Sequence, residues 1–338
     1  MRRKMNKLEL RISAWTISKI ILVFVSFYVV YLIRDILVLF FIVLILATTF
    51  RPVINRWETK IKRGPAVILL FFIILAILSF ISYIVFPPLI TQVASFVQSL
   101  PEFANRLHFL GSYKSLVESG LKSITQNASG ITGGFVNITT SVFGGIFTFL
   151  TAIVLTMYLL LDKNGFRNFV TNIIPSDSRE PILEVARKMS HKVGSWFRGQ
   201  MLLSLAVAII DFIGLAIIGV PYALTLALIS GILDLVPVIG PILAGVIAAL
   251  VAWTLSPLQA IFVLVLYFIV QQIESSILVP NIMKKAVGLS PVVIIMAVLI
   301  GAKLFGLIGG LLAVPTAALI FVLVEEWPTI RKAIKTDA

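Results

Sequence analysis

PYALTLALISGILDLVPVIGPILAGVIAALVAW, Pro221 to Trp253, is apolar throughout and broken at its centre by Pro237, Gly240 and Pro241. It holds 33 residues. Two full membrane crossings need about 40, and each half reaches only about 20 Å as a helix. The stretch is too short to cross twice, so it reads as a re-entrant helical hairpin that dips into the bilayer and returns. Proline withdraws a backbone donor and frees a carbonyl, and glycine lets helices approach closely. Such backbone is tolerated at membrane depth only where protein or a water-filled cavity surrounds it.

A second broken stretch follows, PVVIIMAVLIGAKLFGLIGGLLAVPTAALIFVL, from Pro291 to Leu323. A shift of 70 residues aligns Pro221 with Pro291, Ala227 with Ala297, Gly231 with Gly301 and Gly240 with Gly310. Basic residues set the direction of each stretch. Lys284 and Lys285 precede the second, whereas the first is reached after an outward crossing. Two interrupted segments entering from opposite faces mark a transport site near the midplane.

The rest of the chain agrees with a bilayer. Of 338 residues, 59% are hydrophobic and 13% charged, about half the charge of a soluble domain. A water-soluble fold and disorder are both excluded by that balance. With no cysteine there is no disulfide scaffold, thiolate metal site or thiol nucleophile, and the two histidines, His108 and His191, are far apart. The net charge of +13 lies in short segments beside apolar runs: Arg2 to Lys19, Arg51 to Arg63, and Lys163 to Arg198. These are cytoplasmic topology signals facing anionic lipid, and no nucleic-acid partner is expected.

Six full spans are predicted, near 17–33, 36–50, 66–86, 142–161, 201–218 and 258–280, with both termini cytoplasmic in the inner (plasma) membrane. The first is a retained signal anchor, because no small-residue cleavage site follows it. Four regions result. Residues 1–65 form a two-helix hairpin, with its outer turn at Arg34–Asp35, and a basic loop. Residues 66–161 hold the third and fourth spans around an outer amphipathic helix and a loop from Pro101 to Thr140, which carries sequons at Asn127 and Asn137. Residues 162–200 hold a cytoplasmic amphipathic helix with Ile182, Val185, Met189, Val193 and Trp196 on one stripe. Residues 201–338 form the transport region. The fold class is all-α and polytopic, with the two re-entrant hairpins added to the spans.

Asp211, Asp234, Glu274 and Lys303 fall inside apolar runs. Each costs about 2.5–3.5 kcal/mol on insertion scales, so such residues face a cavity or a partner. Asp234 sits at the first break and Lys303 at the corresponding turn of the second. Gln271 precedes Glu274 by three positions and Asn281 follows it by seven, which makes one polar helical face. The expected pathway is lined by Asp234, Glu274, Gln271 and Asn281, with Pro237, Gly240, Pro241 and Gly310 shaping the breaks and Lys303 as counter-ion. A structural Asp–Lys or Glu–Lys pair is the competing reading. An intramembrane aspartyl protease would pair Asp211 with Asp234, but its GxGD context is absent: residues 231–234 read Gly-Ile-Leu-Asp. No enzyme is expected.

RGQ at Arg198–Gln200, GVPYAL at Gly219–Leu224, DLVPVIGP at Asp234–Pro241, QQIESSILVPNIMKKAVGLSPVVII at Gln271–Ile295 and GAKLFGLIGGLLAVP at Gly301–Pro315 together resemble the autoinducer-2 exporter family of permease-like bacterial proteins. The resemblance implies an inner-membrane homo-oligomer, a pentamer, exporting a small polar molecule such as the quorum signal autoinducer-2 or exchanging sodium for protons. It places the Asp234 motif and the Glu274–Pro280–Asn281 stretch near the path, and gives Asp211 no role. No cofactor is expected, and the absence of a phosphate-binding P-loop leaves no ATP hydrolysis to this chain. The partners are then the lipid bilayer, a small-molecule or ion substrate, and further copies of the chain. A channel, and a membrane scaffold that transports nothing, are the alternatives.

Overall fold

The computed structural model describes residues 14–106, 145, 147–173, 176–283 and 288–335. Along the chain run α1 (Ala14–Leu32), α2 (Arg34–Trp57) and α3 (Arg63–Arg106), then α4 (Phe147–Leu161), α5 (Gly165–Ile173) and α6 (Ser176–Ile218). They are followed by α7 (Ala223–Leu233), α8 (Ile239–Trp253), α9 (Pro257–Ile273), a π-helical turn (Glu274–Leu278), α10 (Val279–Met283), α11 (Pro291–Glu325) and α12 (Trp327–Lys335). No strand occurs among the described residues. Five of their helices are long and apolar enough to cross a membrane: α2, the first part of α3, α6, the α9–α10 run and α11. The expected all-α membrane architecture holds. Most of the outer loop with both sequons, and Lys284–Lys285, lie outside the described residues.

The N-terminal segment differs from the expected hairpin. The Ile33 amide donates to the Val29 carbonyl and the Leu37 amide to the Ile33 carbonyl, each at 3.0 Å, so helical bonding continues past Arg34–Asp35. Only Ile33 departs, at φ −96° and ψ 7°. The junction is therefore a bend, because no glycine or proline is present to reverse the chain there. The third span likewise runs on through Pro87 and Pro88 as one helix to Arg106.

The stripe expected on a surface helix continues into the fifth span as α6, a single helix of 43 residues. Its Val185, Val193 and Trp196 are buried. Trp196 packs with Val298, Ala313, Val314 and Ala318 of α11, and Val193 with Ile45 of α2. Pro181 lies in the second turn of the helix and removes one backbone donor there without ending it.

The contact of α6 with α2 has a specific cause. Pro52 lies inside α2 and has no N–H, so the carbonyl of Thr48 loses its helical donor. Arg198 supplies the replacement, donating Nη1 to the carbonyls of Thr48 (3.4 Å) and Thr49 (3.1 Å). Gly194 permits the approach, since a Cβ there would stand 2.8 Å from the Thr48 oxygen. Just past the C-terminal end of α2, Glu58 accepts from Arg63 Nη1 (2.9 Å) and Lys163 Nζ (3.2 Å), tying the α2–α3 connection to the residues after α4.

Both broken stretches fold as helical hairpins. α7 and α8 have 11 and 15 residues and pack on one another across the break. Within α11, Phe305 and Gly306 leave helical geometry, Gly306 at φ +60°. In an unbroken helix Gly301 and Gly309 would be about 12 Å apart. Here a Cβ on Gly301 would overlap the Gly309 carbonyl and stand 3.1 Å from Ala313 Cβ. The two arms of α11 therefore double back with glycine against glycine. The tips of the two hairpins meet, for a Cβ on Gly310 would be 3.2 Å from Val236 Cγ1.

Candidate functional site

The first break is built around Pro237. Its missing N–H leaves the Leu233 carbonyl to accept from the Val236 amide instead (2.9 Å). The Ile239 amide then reaches back to the Pro237 carbonyl (2.8 Å), closing a γ-turn centred on Val238 at φ +71° and ψ −52°. A β-branched residue is strained there, and such strain gathers at functional sites. Gly240 closes the turn: a Cβ would overlap the Leu233 carbonyl, so no other residue fits.

This turn holds Asp234 at the C-terminal end of α7, with its side chain wholly buried. α6 covers it. Gln200 Nε2 donates to the Asp234 backbone carbonyl (2.7 Å) and Ser204 Oγ to Asp234 Oδ2 (2.9 Å). One turn back along α7, Ser230 Oγ donates to Asp211 Oδ2, again across to α6. The two rungs are reciprocal. Each helix gives one serine and one aspartate, and the positions run oppositely along the two helices, 204 to 234 and 211 to 230. Gly231 allows this spacing, since a Cβ there would lie 2.9 Å from Ala208 Cβ and 3.0 Å from the Ser204 carbonyl. Asp211 Oδ1 and Asp234 Oδ1 remain buried without a hydrogen-bond partner. Neither aspartate forms an ion pair among the described residues.

Glu274 reaches the same region from the other side. It is buried, accepts from Gln271 Nε2 (3.2 Å), and lies within electrostatic reach of Asp234 and Asp211. It opens the π-helical turn, six residues before Pro280. Single π-turns of this kind concentrate at functional sites. The extra residue in the turn also shifts the helical register, and this separates groups that the sequence placed on one face: Glu274 points inward while Asn281 is exposed.

Of the remaining expected residues, Gly240 and Gly310 are buried, Pro237 and Pro241 half-buried, and Gln271 half-buried against Glu274. Lys303 is exposed near the turn of the second hairpin and forms no ion pair among the described residues. Among those residues no three histidine, aspartate or glutamate side chains gather closely enough to hold a metal. Sequence reasoning named Gln200 only within the RGQ motif, passed over Ser204, Ser230 and Tyr267, and gave Asp211 no role from the family resemblance. A signal existed on α6, where Gln200, Ser204 and Asp211 share one face of an otherwise apolar run.

The sequence model of the AI-2E family transporters matches residues 20–329. The chain is 30% identical to the protein named "Putative transport protein YueF" of Bacillus subtilis (strain 168), over 93% of this chain and 92% of that one. It is 33% identical to "Putative transport protein YrrI" of the same organism, over 52% of this chain and 50% of that one. Against "Putative permease PerM" of Escherichia coli (strain K12) the identity is 26%, over 81% and 80%.

Proposed function

The chain belongs to the AI-2E family of transporters, and from that premise we propose that it is a secondary carrier whose path runs past the buried carboxylates where the two hairpins meet. The protein is a multi-pass membrane transporter. In this reading the cargo is small and polar, autoinducer-2 or a molecule of like chemistry, and it leaves the cell at the expense of a proton or sodium gradient. The hairpins are re-entrant from opposite leaflets of the inner membrane, with both termini cytoplasmic and Lys303 available as a counter-ion at the second turn. Four further copies of the chain, completing a pentamer, cover part of its apolar surface.

One observation carries the reading. Asp234 is wholly buried at a broken helix, with Oδ1 unpartnered and no ion pair among the described residues. A carboxyl at that depth is costly and is retained where a moving ion, proton or polar cargo takes up the free oxygen. Pro237, Gly240 and Pro241 break the helix, and Val236 meets Gly310 across the two tips. Movement of one hairpin against the other would change access to Asp234 from either side.

A second reading, exchange of sodium for protons without organic cargo, is favoured by Glu274, which adds a third buried carboxylate that forms no ion pair among the described residues. Proteoliposome flux of a substrate panel including autoinducer-2, under imposed proton or sodium gradients, separates the two. The carrier predicts saturable flux of an organic substrate that collapses in Asp234→Ala with insertion intact. Flux indifferent to both gradients, or undiminished in Asp234→Ala, would end the proposal.

A further inference from the structure

The connection between α2 and α3 carries more positive charge than its own acids balance. Arg51, Arg56, Lys60, Lys62 and Arg63 lie along it, and Lys163 joins them from the end of α4. Two acids stand in the same place, and both are engaged. Glu58 accepts from Arg63 and Lys163, and Asp162 Oδ1 takes the Asn164 amide at 3.1 Å. Arg51 Nη2 donates to the Lys163 carbonyl and Arg63 Nε to the Leu160 carbonyl, each at 2.6 Å, so the three helix ends are drawn into one rim. The amides of Lys60 and Ile61 both reach the Trp57 carbonyl, at 2.8 and 2.9 Å, which fixes the link as a tight turn. That turn leaves Arg56, Lys60 and Lys62 exposed and in no ion pair among the described residues.

Apolar surface begins where the rim ends. Ile68, Leu69 and Phe72 of α3 are exposed, as are Tyr158 and Leu161 of α4. Just inside α3, a Cβ on Gly64 would meet nothing within 4 Å, so the surface beside the rim is open. We propose that the rim binds the headgroup of an anionic phospholipid of the cytoplasmic leaflet, with its phosphate on Arg56, Lys60 and Lys62 and its chains along α3. Basic residues at the cytoplasmic ends of spans attract acidic lipid, and those set between spans hold its headgroups. Guanidinium and ammonium groups give phosphate oxygens charge-assisted hydrogen bonds. Free phosphate would answer the charge alone, whereas a lipid also covers the apolar face that starts about one turn away. Orientation of the chain asks only for charge on the correct side. Here the cations are ordered around an acid that is already neutralised, and their surplus is left for a ligand. The site does not depend on what the chain carries.

The test uses the full chain purified in an uncharged detergent and follows thermal unfolding at constant ionic strength. Phosphatidylglycerol, phosphatidylcholine or inorganic phosphate is added. Phosphatidylglycerol is expected to raise the midpoint saturably, as a ligand of the folded state does, and the other two are not. Lys60→Gln combined with Lys62→Gln raises the half-saturating lipid fraction by about tenfold. Arg331→Gln, which removes an exposed cation from α12, leaves it unchanged. Equal shifts with the two lipids overturn the proposal, as does a matching shift with inorganic phosphate. An unchanged half-saturating fraction in the double variant is equally fatal. So is an equal loss in Arg331→Gln, which would reduce the effect to net charge. Should the double variant not fold, Arg56→Gln decides by the same criterion. No flux is measured, so failure of the carrier reading leaves this result untouched.

Discussion

Ser204 Oγ donates a 2.9 Å hydrogen bond to Asp234 Oδ2, joining α6 to the break between α7 and α8. With Oδ1 already unpartnered, Ser204→Ala would leave both carboxylate oxygens without a protein donor. The variant is expected to lose about 1–3 kcal/mol of stability and to transport more slowly. Thermal unfolding and proteoliposome flux check the two parts. Wild-type values for both would show that the bond does not hold Asp234.

The second hairpin depends on glycine. A Cβ on Gly309 would overlap the Gly301 carbonyl, and that oxygen belongs to backbone that cannot rotate aside. Gly309→Ala should cost about 1–3 kcal/mol or more, as overpacking does. Gly64→Ala, where a Cβ meets nothing within 4 Å, should have little effect. Similar unfolding midpoints for the two variants would argue against the doubled-back α11.

Pro52 and Arg198 should be energetically coupled. Arg198→Ala strips the donor from the Thr48 carbonyl and should cost about 1.5–3 kcal/mol, the range for hydrogen bonds to charged groups. In a Pro52→Ala background the helix regains the N–H that Thr48 lacks, so the same change should cost about 1 kcal/mol less. A double-mutant cycle measures the difference. Strict additivity would dismiss the proline-freed carbonyl as the reason Arg198 sits there.

Val238 holds a positive φ of 71°. Glycine adopts that conformation freely, and Val238 is 46% exposed, so Val238→Gly gives up only part of a side chain's burial. We expect it to raise stability by about 1 kcal/mol, the strain of a non-glycine residue there. A lower unfolding midpoint would count against a strained turn.

Glu58 gives a pH dependence outside the spans. The hydrogen bond from Lys163, with the charges of Lys163 and Arg63, holds its carboxyl below the ordinary value of 4.5, against the opposing effect of burial. Because the folded value is depressed, its contribution is complete above pH 4.5 and disappears as the pH falls through the lowered value. Glu58→Gln should therefore melt below wild type near neutrality, with the gap closing on acidification. A gap that is the same at about pH 7 and about pH 3 would show that the ionised carboxylate is not what matters.

How much of this was readable beforehand varied with the range of the cause. The helical membrane class followed from composition and apolar run length. The interruptions could be placed at Pro237, Gly240 and Pro241 because proline and glycine act on their own backbone. The bend at Ile33 was misread as a turn: two charged residues suggested exposure, but charge does not reverse a helix. The α6 boundary near residue 200 failed for a related reason, since polar and apolar stretches can share one helix when different neighbours cover them. Asn281 was grouped with Glu274 on an ideal 3.6-residue period, which the π-turn interrupts.

Local chemistry, then, was enough to say that the chain lives in lipid as helices, that two of its apolar runs are interrupted, and that Asp234 and Glu274 carry charge at depth. It could not say that Ser204 meets Asp234, that Ser230 meets Asp211, that Gly301 lies on Gly309, or that Val236 touches Gly310. Those pairings depend on the register of one helix against another. Register is set by how side chains far apart in the chain fill shared space, and no period within a single segment contains that information.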